Sequence, residues 1–468
     1  MQKPAQTRPF VTHSVDEILL EALACHRQGQ LPEAERLYRQ VLAAEPNHAD
    51  ALNLLGVLAH QTGHHQPAVE LISQAIRLMP SVAALHNNLG EAHRALGNHP
   101  LAIAAYRRAI ALDEQFAEAH NNLGTLWQLE GRPDDALAEF DRAIACRADY
   151  ANPHYNRARL WLAQGDWSRG WPEYEWRWRR TEFVRPPQVA PEWDGSPLGD
   201  RRLLVRAEQG LGDTLQFIRY VRLLEQQGAK VVAEVQPSLV PLLEQSGFTS
   251  LIAQGNAPPI ADLQAALLSL PGLVGTTLDN LPAFAPYLKA DAARVTRWQA
   301  RLTNLPRPLI GIHWQGNPRS PLEPWRSPPL AAFEPLARAT GGTLVSLQKG
   351  PGVEQIAAVA PRFNVVDLAA ELDADGAFLD TAAVVSLVDL VITSDSAVAH
   401  LAGAMARPAW VVLPTAADWR WLTAREDSPW YPTMRLFRQR AGGDWSEVFA
   451  RVAAELAQQV FTARPGRS

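Results

Sequence analysis

The stretch "VITSDSAVAHLAGAM" (391–405) sets Ser394, Asp395, Ser396 and His400 where an apolar strand pattern runs into an apolar helix pattern. Asp395 or Ser396 can cap such a helix, and its free N–H groups, at the positive end of the dipole, attract an anion such as phosphate. His400 lies one turn beyond Ser396, on the same helix face. A cap accounts for one of these polar residues but not for the set with the histidine. Lys349 in "SLQKG" (346–350) ends a neighbouring strand pattern, and with Arg326 it can clamp a diphosphate. In "AEQGLGDTLQF" (207–217), Glu208 and Asp213 flank Gly210 and Gly212. The full dinucleotide fingerprint is absent there, and an N-cap by Asp213 for a helix starting at Thr214 is the competing reading. "HWQGNPRSPLEPWRSPPL" (313–330) is a long polar loop carrying Arg319 and Arg326, and loops of this length are often functional rather than merely solvated.

Short apolar runs must position these loops. "LLVRA" (203–207) and "KVVAEV" (230–235) read as strands around the helix pattern 214–228. A second series follows at "PLIGIHW" (308–314), "GTLVSL" (342–347), "FNVVDL" (363–368), "DLVITS" (389–394) and "AWVVLP" (409–414). Strands alternating with helices imply parallel sheets covered on both faces, here as two Rossmann-like halves joined near residues 302–308. Ligands of such sheets lie beyond the carboxyl ends of the strands, which is where the loops above fall.

The first 180 residues follow another rule. Gly29, Gly63, Gly97, Gly131 and Gly165 recur every 34 residues, and the same ruler aligns Ala34, Ala68, Ala102 and Ala136. Tyr38, Ile72, Tyr106, Phe140 and Tyr174 follow it too. Five helical hairpins are expected, each glycine closing the first helix and each alanine letting the paired helices approach. The pattern resembles the tetratricopeptide repeat, a superhelix whose concave face is lined by the first helix of each unit. Asn53, Asn87 and Asn121 form one row on that ruler, and Asn88, Asn122 and Asn156 a second. Amide ladders can grip an extended peptide backbone, or they can simply bond neighbouring helices. "LHNNLG" and "AHNNLG" resemble repeats of eukaryotic protein O-GlcNAc transferases, where such a ladder holds protein substrates. The last unit departs from the rule. "WSRGWPEYEWRWRR" (167–180) carries four tryptophans and reads as a capping segment buried against the next domain, with a carbohydrate-stacking platform as the alternative. "RPPQVAPEWDGSPLGD" (185–200) reads as an ordered linker stiffened by proline.

The bulk numbers bound the rest. With 468 residues the chain is too long for one core. Its formal net charge of −5, with basic residues scattered, sets nucleic acid aside as the main partner. No signal-peptide core or membrane-length apolar run stands out, so a cytoplasmic protein is expected. Two distant cysteines, Cys25 and Cys146, suggest buried, reduced thiols and neither a disulfide framework nor a zinc site. The expected organisation is a disordered tail (1–14), repeats (15–182), a linker (183–201), and two α/β halves (202–305 and 306–468).

Residues 201–468 resemble bacterial glycosyltransferases of the GT-B fold, in particular the ADP-heptose:lipopolysaccharide heptosyltransferase family, through "GLGDTLQF", "GIHWQGNP" and "SDSAVAHLAGAM". That resemblance implies a nucleotide-sugar donor and a general base at Asp213, with Glu208 as runner-up. It also implies donor contacts from Asp395, Ser396 and His400 and a basic diphosphate contact that resembles Arg326 or Lys349; Gln348, beside Lys349, is a further donor-binding candidate. Asp380 and Thr381 open the next helix, where a ribose or base contact and a plain cap stand side by side. "DAD" (373–375) spells a two-aspartate metal motif of another glycosyltransferase class, but it reads as a solvated turn and no metal is expected. Repeats followed by such a unit resemble bacterial protein glycosyltransferases that recruit flagellin. This implies a client protein in the repeat groove. The rival readings are a lipopolysaccharide or other glycan acceptor, and a noncatalytic adaptor with a degenerate sugar-nucleotide domain.

Overall fold

The computed structural model describes residues 14–318, 323–440 and 443–458. The expected tail, apart from Ser14, lies outside these residues, as do Arg319 and the last ten residues. The chain divides into two compact units, one through Asn156 and one from Arg157 onward.

The first unit is a run of antiparallel helix pairs. Val15–Arg27 pairs with Leu31–Ala44, Ala49–Gln61 with His65–Leu78, Ala83–Ala95 with His99–Leu112, and Ala117–Leu129 with Pro133–Cys146. Ser14 opens the array with a reciprocal cap, its hydroxyl accepting from the Glu17 N–H while the Glu17 carboxylate accepts from the Ser14 N–H. Gly29, Gly63, Gly97 and Gly131 each take a φ between 71° and 84°, where a side chain would be strained. Ala34, Ala68, Ala102 and Ala136 are completely buried. A second set of small residues sits opposite the large ones. A Cβ on Gly56, Gly90 or Gly124 would lie 2.5–2.8 Å from Ile72, Tyr106 or Phe140. Cys25 and Cys146 are free and only half-buried, which corrects the expectation of buried thiols.

The second unit is α/β. A four-stranded parallel sheet has the order β3-β2-β1-β4, from β1 (Arg202–Arg206), β2 (Lys230–Val235), β3 (Leu251–Ala253) and β4 (Leu263–Ala266). The expected helix after β1 is two pieces, Leu211–Phe217 and Arg219–Gln226. The linker is ordered, as expected, because it borders β4: Gln264 N donates to Pro191 O and Trp193 N to Gln264 O. A six-stranded sheet has the order β6-β5-β7-β8-β10-β9, from β5 (Leu309–His313), β6 (Thr343–Ser346), β7 (Leu390–Ser394), β8 (Ala409–Leu413), β9 (Asp427–Ser428) and β10 (Tyr431–Arg438). Only β9 runs antiparallel to its neighbour. The run 363–368 is not a strand. It contributes one bridge, Val366 to Val345. The crossover between sheets lies upstream of 302–308, since Tyr287 N already donates to Ala404 O and helix Ala292–Leu302 packs against helix Leu379–Leu387.

The aromatic segment 167–180 belongs to this unit. Trp167 stacks on Trp430 at 5.2 Å, Trp171 meets Trp419 edge-on at 5.3 Å, and Trp171 Nε1 donates to Thr276 O. These two rings are core, as the capping reading expects. Trp176 and Trp178 are half-buried beneath the guanidinium groups of Arg179 and Arg177.

Candidate functional site

A cavity of about 870 Å³ opens within the α/β unit at the carboxyl ends of five strands. Residues 209–213 reach it from β1, His313 and Gln315 from β5, Gln348 and Lys349 from β6, Asp395–Val398 and His400 from β7, and Asp418 and Arg420 from β8. Parallel strands end on the same side, so loops distant in sequence must meet there.

One of the closest approaches between the two halves is at a glycine. A Cβ on Gly212 would lie 3.1 Å from His400 Cδ2 and 3.3 Å from Ala397 Cα. The missing side chain lets helix Leu211–Phe217 pack against helix Ala397–Ala404, which brings Asp213 and His400 into one cavity. The helix begins at Leu211, so Asp213 is its third residue and not the N-cap of a helix at Thr214. Its carboxylate accepts from Gly210 N at 2.9 Å and from the Arg420 guanidinium. Burial raises the Asp213 carboxyl above its ordinary range, against the pull of Arg420. Glu208 is placed differently. It is buried outside the cavity lining, accepting from Leu267 N, Leu268 N and Arg177, so it ties β4 to the segment 175–179 rather than facing a substrate. Burial pushes it up to about 7 despite Arg177.

On the opposite side, Ser396 precedes helix Ala397–Ala404 without capping it, and its hydroxyl meets Thr393 Oγ1 at 3.0 Å. Burial, with repulsion from Asp418, pushes the Asp395 carboxyl up to about 6. His400 is 5% exposed, stacks on Trp421 at 5.4 Å, and is driven down to about 3 by burial and by Arg420, so it is neutral. The two expected cations line the cavity with their charges partly committed. Lys349 Nζ donates to Asp373 O at 2.7 Å and to Leu372 O, and Arg326 Nε donates to Glu323 at 2.8 Å. Gln348 is a structural amide. Its Oε1 accepts from Trp314 N and Gln315 N while its Nε2 donates to Gln315 O and Pro351 O.

Asp380 does not face the cavity, which corrects the expectation of a ribose or base contact. It accepts from Arg294, Arg297 and Trp298, and these donors hold its carboxyl below its ordinary value although burial opposes them. Thr381 touches the cavity, but its N–H and hydroxyl both donate to Asp373. Asp373 is therefore the cap of helix Leu379–Leu387, and the "DAD" segment is not a plain solvated turn.

Three cavity residues were missed from sequence. Arg420 and Asp418 follow β8, whose loop was not read although the strand-end rule points to it. His313 lay inside the quoted "GIHWQGNP". It is 8% exposed, burial drives it down to about 4, and its Nδ1 has no partner among the described residues.

In the repeat unit, the asparagines bond one another across neighbouring repeats. Nδ2 of Asn88, Asn122 and Asn156 donates to Oδ1 of Asn53, Asn87 and Asn121 at 3.0, 3.0 and 3.1 Å. Helix-to-helix bonding is thus realised, and each amide keeps part of its capacity.

Fold and motifs define the class: an array of tetratricopeptide repeats joined to an α/β unit. A tetratricopeptide-repeat family model matches residues 19–83 and a TPR-repeat model residues 90–131. The chain is homologous to Protein FlbA of Caulobacter vibrioides, 31% identical over 324 residues that cover 63% of this chain and 53% of FlbA. The alignment exceeds the length of the repeat unit, so the similarity extends into the α/β unit, and the chain spans about half the length of that relative. Among solved structures, MamA is 24% identical with a TM-score of 0.30, covering 34% of this chain and 94% of that one. A thermophilic TPR protein of Thermus thermophilus is 21% identical with a TM-score of 0.34, covering 36% and 92%. No helix among the described residues is long and apolar enough to cross a membrane.

Proposed function

We propose that the α/β unit is a GT-B glycosyltransferase that moves a sugar from a nucleotide-sugar donor to a serine or threonine hydroxyl of a client protein held by the repeats. The observation that carries this reading is the cavity itself, with Asp213 on one side and the start of helix Ala397–Ala404 on the other. Donor diphosphate would lie against that helix start and Arg326, so charge developing on it meets donors already in place. The acceptor oxygen attacks the anomeric carbon as the bond to the diphosphate breaks, giving inversion, and its proton passes to Asp213. A half-buried carboxyl whose basicity is raised suits that task. Repeat arrays commonly present a binding surface on their concave side, which supports a protein acceptor, flagellin being the client we would try first.

The test is intact-mass measurement of flagellin co-expressed with the wild-type chain and with Asp213→Asn. A mass increase with the wild type that disappears with the variant supports the proposal. An unchanged client mass with the wild type overturns protein glycosylation, and full transfer by the variant overturns Asp213 as base. One observation favours a second reading, the noncatalytic adaptor: Arg420 already occupies the Asp213 carboxylate. In that case nucleotide sugars bind and are never turned over.

A further inference from the structure

Arg420 serves two carboxylates of the cavity, and the two contacts are not equivalent. Its Nη1 donates to Asp418 Oδ1 at 2.7 Å, and its own main-chain N–H donates to the same oxygen at 3.1 Å. Arg159 holds the other Asp418 oxygen at 3.5 Å, so that pair is fixed within the loop after β8. The second contact is long-range. Nη2 crosses to Oδ1 of Asp213, on the helix after β1, while Oδ2 of the same carboxylate accepts from Gly210 N at 2.9 Å. Asp213 therefore keeps one aimed hydrogen bond if the guanidinium leaves. The guanidinium carbon lies over the Trp419 ring at 4.4 Å and the Phe217 ring at 5.5 Å, and its Nε has no partner among the described residues.

We infer that Arg420 is a positioning residue shared between base and donor: it holds Asp213 until a donor diphosphate takes over the Nη2 N–H. The other cations lining the cavity are engaged too, Arg326 with Glu323 and Lys349 with two carbonyls, so an entering dianion is met by an exchange of partners. Of the two carboxylates on Arg420, Asp213 is the one that can be exchanged. Asp418 is tied into the same loop as the arginine, whereas Asp213 is reached across the cavity.

The exchange orders the reaction. While Arg420 covers Oδ1 it weakens the carboxylate as a base, and once released beside a dianion the same carboxylate is a stronger one, still aimed by Gly210. This step rests on the glycosyl-transfer reading, whereas the exchange itself needs only a diphosphate. The charged groups facing Asp213 are Arg420 and Arg326, opposed by Asp418 and Glu208, with Asp395 across the cavity and His400 neutral. Losing the pull of Arg420 raises the Asp213 carboxyl further, so binding takes up a proton. Affinity is therefore greatest below the raised value and falls as pH rises through it.

The test is calorimetry on the full chain at mildly acidic pH, in two buffers of different ionisation enthalpy, with UDP-, GDP- and ADP-glucose and with inorganic pyrophosphate. The wild type should take up a fraction of a proton beyond that taken up by Asp213→Asn, in which Asp395, Asp418 and Glu208 still titrate. Asp213→Asn should also bind the probe about tenfold more tightly, and the gain should shrink below about twofold in an Arg420→Gln background. An equal gain in both backgrounds is plain repulsion between Asp213 and the anion, and it overturns the exchange. Equal proton uptake by the wild type and Asp213→Asn overturns it as well, and this measurement needs no Arg420 variant to fold. A conjugate that binds without coupling removes the exchange and leaves glycosyl transfer standing. Coupling to pyrophosphate while no conjugate binds keeps the exchange and removes glycosyl transfer, and if neither kind of probe binds, both fall.

Discussion

The asparagine rows of the array and the cavity of the α/β unit treat their polar groups differently. In the repeat array each bonded asparagine finds another one period away, and the geometry recurs within 0.1 Å. In the cavity of the α/β unit, Asp213, Asp395 and Asp418 crowd around Arg420, and the Nδ1 of His313 has no partner among the described residues. Each of these amide pairs is satisfied by its neighbour in the next repeat. The cavity keeps Asp213 and Asp395 where burial and the charge of Asp418 both oppose ionisation. Such conflicts persist where a ligand or a reaction resolves them, and the contrast separates a scaffold from a site.

The sharpest way to break that contrast is Arg420→Ala. Arg420 is 7% exposed and pairs with both Asp213 and Asp418. Removing it leaves Asp213 without its paired cation and Asp418 with Arg159 alone, and urea unfolding of the full chain should show the α/β transition weakened by about 3 kcal/mol, the low end for a broken buried pair because both carboxylates are half-buried. The matching change in the array, Arg36→Ala, opens an exposed pair with Glu33 and should leave the unfolding curve unmoved. Equal effects would mean that the cavity charges are no more committed than surface ones.

Asp395 gives the next largest effect, and one that depends on pH. Its folded value of about 6 lies above the ordinary 3.8, so the native state holds the proton more tightly than the unfolded chain. Stability contributed by that proton is complete below the ordinary value and is lost as pH rises through about 6. At about 1.4 kcal/mol per unit, the loss is at most roughly 3 kcal/mol. Asp395→Asn cannot ionise, so it should raise the melting temperature at pH above 7 and leave it unchanged near pH 4. A stabilisation of the same size at both pH values would trace the effect to packing and not to charge.

Legibility from sequence follows the same division. The 34-residue ruler located every hairpin of the array because each glycine with positive φ meets the same steric demand. Gly56, Gly90 and Gly124 obey that ruler too and were passed over, although each faces a residue of the Ile72 series that was read. In the α/β unit the strands β1, β2, β5, β6, β7 and β8 were legible as apolar runs. β3, β4 and β10 were not, being short or interrupted by polar residues. Residues at strand ends were found in most loops where a motif was read, but His313 was missed inside one such motif and Asp418 and Arg420 in the unread loop after β8. Asp380 and Glu208 show what a sequence cannot tell: a carboxylate beside a loop motif can point into the core as readily as into the cavity, and the arginines that decide this, Arg177 and Arg294, come from distant segments.

A smaller effect tests the array's packing. An alanine Cβ at Gly124 would sit 2.8 Å from the Phe140 ring and 3.1 Å from Ala136 O, so Gly124→Ala must push apart helices Ala117–Leu129 and Pro133–Cys146. The cost should be about 1–3 kcal/mol in thermal unfolding. Adding Phe140→Leu makes room at the ring but not at the carbonyl, so rescue should be partial. Full rescue would mean that only the ring constrains the helix spacing.

The smallest effect probes whether the asparagine pairs hold the array or only decorate it. Asn88→Ala removes the donor to Asn53, and because Asn53 is half-buried and water can replace the lost proton, the cost should be about 1 kcal/mol or less. Asn88→Asp should cost less than the alanine, since the Asn53 amide can turn over and donate to the new carboxylate. Hydrogen exchange is the fitting measurement, because a local loss appears in the helices Ala49–Gln61 and Ala83–Ala95 without unfolding the chain. Faster exchange in those two helices alone would assign the pair a structural share. Unchanged exchange would place the array's stability in its apolar contacts and leave the amides available to a bound peptide, turning the most regular polar feature of the molecule from scaffold into site.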